Sequence, residues 1–223
     1  MRIDVFTLFP DHFGWFLGQR HVTNLLDEGS EIRLFDYRET TPLTAGQVDD
    51  APYGGGAGMV MRVDVVDAAL EAAYGSDRSR VRILALSPGG RLFSEEVAVE
   101  LSEVDHLALL CGRYEGFDER VLENLADGVI SIGKFVLSGG ELAAMVVGDA
   151  VLRKLPGALG DESSPVEESF SEALDGAPEY PHYTRPADYR GWKVPEILLS
   201  GDHGAVRDWR LAESKQRAEE DSA

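Results

Sequence analysis

Three short stretches carry the residue types from which a ligand site can be built. Each follows an apolar run, and each is rich in glycine. Ser87-Pro88-Gly89-Gly90 follows VRILAL (81–86), CGRYEG (111–116) follows HLALL (106–110), and GKFVLSGGEL (133–142) follows GVISI (128–132). Glycine lets backbone amides and carbonyls come close to a ligand, while serine, tyrosine and glutamate in the same loops can add polar contacts. The plain alternative is that the glycines serve tight turns alone. A fourth stretch, SSPVEESF (163–170), is acidic and broken by a proline. By composition it is solvated linker, and whether Glu167 or Glu168 does chemistry is open from composition alone.

The spacing excludes several chemistries. The G-x-G-x-x-G and G-x-x-x-x-G-K-[ST] phosphate fingerprints are absent. The five histidines are scattered, and no Cys/His cluster has zinc spacing. Cys111 has no histidine and carboxylate partners placed as a nucleophile needs. What remains is an uncharged or singly charged nucleoside-like ligand held by backbone groups.

The elements that must position these loops alternate. Residues 3–9 (IDVFTLF) read as a strand ended by Pro10. Asp11 then caps a helix carrying Phe13, Phe16, Leu17 and Leu25, which stops at Gly29. IRLF (32–35) is a second strand. Residues 36–62 form a long stretch rich in Gly, Pro, Thr and Asp, of a length that is usually functional. A helix opens at Asp64 and closes at Gly75. The three apolar strands follow, separated by SEEVAVELSE and FDERVLENLA at helical spacing. The last glycine loop feeds a helix, ELAAMVVGDAVLRKL, that stops at Pro156-Gly157. This alternation predicts an α/β fold with a mainly parallel sheet. Residues 161–181 read as an acidic, turn-rich linker. Residues 182–193 (HYTRPADYRGWK) reverse the local charge and add three aromatics, and the tail from Asp202 reads as a helix.

The chain has 223 residues, 43% of them hydrophobic, enough for a sizeable core. Its net charge of -19 argues against loose, charge-driven binding of nucleic acid, although a local basic patch can dominate. Arginine, the better phosphate fork, supplies 17 of the 21 basic residues. One cysteine permits no internal disulfide, which fits a reducing compartment. No apolar run approaches the ~18 residues of a membrane span, and MRIDVFTLFP is too polar for a signal peptide. A cytoplasmic protein with no membrane partner is expected.

Seven motifs together resemble the bacterial tRNA (guanine-N1)-methyltransferases, the TrmD family: VDDAPYGGGAGMVM, LSPGGRLF, CGRYEGFDERV, SIGKFVLSGGELAAMVVGDAVLR, LPGALG, HYTRP and VPEILLSGDH. They occur in the family's order, and the likeness spans residue 1 to about residue 210. The resemblance implies the SPOUT fold, an α/β sheet closed by a deep trefoil knot that the glycine loops form, plus a small C-terminal helical domain. Knots are rare exceptions to unthreaded topology. The implied division is a cofactor domain over 1–160, a linker over 161–181 and a shortened tRNA-binding domain over 182–223. It also implies S-adenosylmethionine as cofactor, magnesium assistance, a homodimer with the active site at the subunit interface, and methylation of N1 of guanosine 37 in the tRNA anticodon arm.

Carried over by motif, the cofactor residues are Ser87, Pro88 and Gly90; Gly112, Tyr114 and Glu115; and Ile132, Gly133, Lys134, Phe135, Val136, Leu137, Gly139 and Gly140. Asp49, Tyr53 and Gly58 match the segment that receives the flipped guanine. His182 and Arg185 match the tRNA-facing motif. Arg153 matches the family's active-site arginine. The family's catalytic aspartate lies in a D-S-F motif that here reads Glu168-Ser169-Phe170. The chemistry agrees: N1 must lose its proton to a carboxylate base, and a guanidinium can stabilise the charge that gathers on O6.

Three departures stand out. Glutamate replaces the usual aspartate at 168, Phe135 replaces a tyrosine, and the tail ends in acidic RAEEDSA where the family carries a longer basic helix. These departures leave two other readings in view. One is a divergent paralogue methylating another RNA or a small molecule, and the other is a non-catalytic S-adenosylmethionine- or RNA-binding protein.

Overall fold

The computed structural model describes residues 1–159 and 168–221. The chain divides into two compact units, Met1–Gly160 and Asp161–Ala223.

The first unit runs β1 (Arg2–Thr7), α1 (Gly14–Leu17), α2 (Arg20–Asp27), β2 (Glu31–Asp36), α3 (Tyr37–Thr40), β3 (Asp49–Asp50), β4 (Val60–Met61), α4 (Val63–Tyr74), β5 (Arg82–Leu92), α5 (Glu95–Ser102), β6 (His106–Cys111), α6 (Glu119–Asn124), β7 (Gly128–Ser131) and α7 (Glu141–Leu152). Five strands form one sheet in the order β2-β1-β6-β5-β7, with every pairing parallel. The side-chain period of two explains its two cores. Ile3, Val5, Leu84, Leu86, Leu107 and Leu109 face α2, α5 and α7. Phe6, Ile83, Ala85, Ala108 and Leu110 face the other way, toward α4. Helices on both faces of a parallel sheet make the α/β architecture that the alternating pattern predicts.

Two elements differ from the sequence reading. The first helix is split: a 3-10 turn at Pro10–Phe13 and α1 end at Gly18, and α2 starts anew after Gln19. The SPGG segment is not a loop after β5 but part of it, since β5 continues through Leu92. Leu86 pairs with Ile130 and, after a register shift, Arg91 and Leu92 pair with Ile130 and Ser131. Gly90 makes this possible, because a Cβ there would lie 2.6 Å from the Val129 carbonyl group.

One strand position breaks the apolar pattern. Asp4, 0% exposed, accepts from Arg33 Nε (2.8 Å) and Nη2 (2.7 Å) and from the Tyr74 hydroxyl (2.9 Å), and lies 2.7 Å from His106 Nε2. Burial pushes its carboxyl up, but the Arg33, His106 and Tyr74 hydrogen bonds outweigh that and hold it below the usual carboxylate range. The same burial, with the Asp4 charge second, pushes the Tyr74 hydroxyl well up.

In the second unit, β8 (Asp188–Tyr189) and β9 (Trp192–Lys193) form a short hairpin, and α8 spans His203–Asp221. Residues from Glu168 to Tyr180, within the stretch that reads as linker, are folded onto α8. Ser214 Oγ donates to the Pro178 carbonyl (2.7 Å), Arg217 Nη1 to the Glu179 carbonyl (2.7 Å), and the Arg210 guanidinium lies over the Tyr180 ring. Leu174, Ala177 and Tyr180 are buried there, apolar positions whose spacing fits neither a helix nor a strand.

Candidate active site

A cleft of about 390 Å³ lies at the carboxyl ends of β6 and β7, beside the middle of β5, near where ligands sit in parallel sheets. The Ser87-Pro88 stretch of β5 and the two glycine loops after β6 and β7 meet in it. Of the cofactor residues carried over, all but Gly90 and Lys134 line it. Gly90 acts beneath the cleft, through the strand contact described above.

The loops are built by glycine at specific points. Gly133 has φ +156°, and a Cβ on it would strike the Phe135 ring at 2.3 Å. Gly140, before α7, would bring a Cβ to 2.7 Å from Cys111 Cα. The second and third loops are joined there: Gly140 N–H donates to the Gly112 carbonyl (2.9 Å), and Arg113 bridges Gly139. Tyr114 takes a left-handed φ of +61°, uncommon for a residue with a side chain. Tyr114, Phe135, Val136 and Leu137 are exposed at the rim, while Leu86, Ile130 and Ala143 supply apolar lining. Burial, first, and the Glu141 charge, second, push the Cys111 thiol far up, which removes it as a nucleophile.

The long 36–62 segment reaches this cleft through backbone hydrogen bonds. Glu115 N–H donates to the Met59 carbonyl (3.0 Å), Met61 N–H to the Gly116 carbonyl (2.9 Å), and Asp118 N–H to the Met61 carbonyl (2.9 Å). Gly58, at φ +79°, lies against Glu115 so closely that a Cβ would overlap its side chain. Asp49 sits in β3, paired with Met61 in β4, and Tyr53 is fully exposed on the intervening loop. The structure thus brings this loop to the edge of the cleft, although none of its residues lines it.

Arg153 caps the carboxyl end of α7, its N–H donating to the Asp149 carbonyl (3.0 Å), and lies outside the cleft lining. Glu168 belongs to the second unit, half-buried at the start of a turn. Its carbonyl accepts from Ser171 N–H (3.1 Å), Ser169 Oγ accepts from Glu179 N–H (2.9 Å), and Phe170, at φ +70°, donates its N–H to the Ala177 carbonyl (2.8 Å). The neighbouring Glu167 lies outside the described residues. His182 is exposed and 2.7 Å from Glu179 Oε1, and Arg185 is exposed.

The profile of the tRNA (Guanine-1)-methyltransferase TrmD family matches residues 1–222. The chain belongs to that family. A tRNA (guanine-N(1)-)-methyltransferase of Brevibacillus brevis is 48% identical over 222 residues, covering 97% of this chain and 88% of the relative. One from Geobacillus kaustophilus is 49% identical over 219 residues, with the same coverage. One from Limosilactobacillus fermentum is 46% identical over 221 residues, covering 97% and 86%.

Within this TrmD-family cleft, sequence reasoning missed Arg113, Phe117, Leu122 and Ser131, which all line it. Phe117 has a signal in hindsight: a Cβ on Gly112 would meet its ring at 3.0 Å, so the loop closes over it. It also missed Glu141, which reads as an ordinary acidic residue in the first turn of a helix. Among the described residues, no three His, Cys, Asp or Glu groups cluster as metal ligands, and no helix is long and apolar enough to cross a membrane.

Proposed function

We propose that this chain methylates N1 of guanosine 37 in the anticodon arm of tRNA, with S-adenosylmethionine as donor, in the cytoplasm. The observation that carries this reading is the convergence of the Ser87-Pro88 stretch of β5 and two glycine loops on one cleft, with twelve of the fourteen residues carried over for the cofactor on its walls. Its volume lies in the range of small-molecule sites, and the glycines leave backbone groups open to a ligand. Glu115 offers a carboxylate to a cationic group. The fit is that of a nucleoside-like cofactor with little phosphate charge. S-adenosylmethionine supplies a methyl group on a sulfonium, and so its own leaving group. No residue is assigned to the magnesium that the family likeness implies.

The chain's residues have the remaining work. Guanine N1 carries a proton at neutral pH and is a poor nucleophile. Glu168 takes that proton, and Arg153 stabilises the negative charge left on O6. The loop carrying Asp49, Tyr53 and Gly58 receives the flipped base, whose unstacking costs a few kcal/mol. His182, Arg185 and the aromatics of the HYTRPADYRGWK segment hold the anticodon arm.

Arg153 gives a reason for two subunits. At 1.5 Å per residue it stands roughly 20 Å along α7 from the glycine at the cleft end. Leu142 and Val146, 60% and 47% exposed, lie with Asp149 and Arg153 at helical spacing. A homodimer packed on this face covers the two apolar side chains and brings the arginine of a second copy toward the cleft. The SPOUT arrangement with its deep trefoil knot completes the reading. It is supported by the strand order, with β5 held between β6 and β7, and by the continuation of β5 past its first partner.

The test is mass analysis of nucleosides from tRNA incubated with the protein and labelled cofactor. The expected product is 1-methylguanosine at position 37. A cofactor-bound dimer that yields none refutes the assignment, and label on another base or on a small molecule supports the divergent-paralogue reading instead.

A further inference from the structure

The buried acid at the start of α7 has no place in the reaction just described, yet it joins four parts of the first unit. Glu141 is 3% exposed. Its Oε1 accepts from the hydroxyl of Thr7, at the end of β1 (2.8 Å). Its Oε2 lies 2.9 Å from Arg113 Nε in the second glycine loop. Arg113 then donates from Nη1 to the Ser138 carbonyl of the third loop (3.2 Å), and its guanidinium lies 4.3 Å from the centre of the Phe9 ring. Its own N–H faces the sulfur of Met61 at 3.2 Å, in β4.

The space around this ion pair is reserved for it. A Cβ on Gly139 would fall 2.2 Å from Arg113 Nε and 2.5 Å from Glu141 Oε2. The third loop therefore carries glycine here because a charged pair occupies the volume that a side chain needs. Meanwhile residues 113–118 are hydrogen-bonded on one side to Met59 and Met61 and on the other to the Gly139-Gly140 turn. The second loop is thus a strap between the cofactor cleft and the Asp49–Met61 segment, and Arg113 is the point at which Glu141 grips it.

We infer that Glu141 is a positioning residue: through Arg113 it holds the second and third glycine loops in one register, so that the cofactor cleft and the base-receiving loop are built together. A buried carboxylate suits this role because its charge must be matched: the Arg113–Glu141 contact is one of charge at 2.9 Å rather than an aligned hydrogen bond, and removing either partner leaves the other uncompensated. Breaking it loosens the strap, which is then held by its backbone hydrogen bonds alone. The inference rests on the proposed cofactor reading for its binding readout, but not for its structural one.

The experiment pairs amide hydrogen exchange of the cofactor-free protein with calorimetric binding of S-adenosylmethionine. Glu141→Gln keeps the volume and the acceptor for Thr7 but removes the charge. Exchange in residues 112–118, 132–140 and 52–61 is expected to rise at least tenfold, while β1, β6 and the body of α4 stay protected. Cofactor affinity is expected to fall about tenfold. Arg113→Gln, made on a side chain with solvent access, is expected to give the same two changes. The double variant is expected to be no worse than Arg113→Gln alone, because that variant already removes the ion pair. Should Glu141→Gln not fold, Arg113→Gln carries the same test against the same segments.

Exchange confined to 139–141, with 52–61 unaltered, overturns the inference, as do losses in the two single variants that sum in the double. A parental protein that binds no S-adenosylmethionine counts against the cofactor reading alone. In that case the exchange pattern still decides the role of Glu141.

Discussion

Asp4 and Glu141, in the sheet unit, are sealed from solvent and lie against arginines, whereas Glu168, in the second unit, is half-buried at the start of a turn. The contrast separates two uses of an acid. Where the carboxylate is enclosed and matched, its charge fixes geometry. A general base has to exchange a proton during each turnover, which requires access to the reacting group. The cleft proposed for the cofactor is therefore built into the sheet unit, and the proposed base is carried on the smaller second unit.

The sharpest way to break this contrast is to neutralise each acid. Glu168→Gln is expected to lower methyl transfer by 10²–10⁴-fold, the span of a lost general base, while cofactor affinity measured by calorimetry stays put. A variant that keeps full turnover moves the base elsewhere, to Glu167 first. Asp4→Ala should behave oppositely, costing about 1–3 kcal/mol of stability in denaturant unfolding, because the buried Tyr74 hydroxyl loses its acceptor, while Arg33, 40% exposed, can turn to solvent. Its pH dependence follows from the lowered carboxyl. The stabilisation is fully present above the ordinary aspartate value of about 3.9 and is lost as pH falls through the lower native one. Asp4→Asn should lower the stability plateau above that window and flatten the acid limb within it.

Smaller effects sharpen the platform itself. Gly140→Ala meets no backbone strain, since Gly140 has an ordinary helical φ of −78°, but its methyl group meets Cys111 Cα. Overpacking of this kind costs about 1–3 kcal/mol, and a several-fold loss of cofactor affinity should accompany it. Phe135→Tyr restores a hydroxyl at the exposed rim. One hydrogen bond is worth about 1 kcal/mol, so a gain in affinity of roughly fivefold is the ceiling, read by titration.

The cleft was legible in the sequence because glycine-rich ends of apolar strands are a local signal. The seven ordered motifs then carried the family. What stayed hidden was what depends on depth. Asp4 passes unremarked inside the run that reads as a strand, since its three partners come from β2, α4 and β6, and no local pattern names them. Glu141 looked like a helix-start acid for the same reason. SPGG read as a loop since proline and glycine break strands, whereas β5 accepts them at a register shift where Gly90 presses on the neighbouring strand. The Glu168 turn looked like solvated linker because its buried residues, Leu174, Ala177 and Tyr180, have no helix or strand period.

The glycines against backbone have a consequence for anyone who wishes to re-engineer the cleft to accept an enlarged cofactor analogue. Gly90 and Gly140 abut main chain, which cannot rotate away, so a randomised library should leave both fixed. The rim side chain of Val136 is 84% exposed, and those of Tyr114 and Phe135 are half-exposed, so all three can be exchanged with less cost to the backbone, provided that Gly133 stays under the Phe135 ring. Diversity belongs at those three positions, where new shape can be explored without disturbing the floor on which the ligand rests.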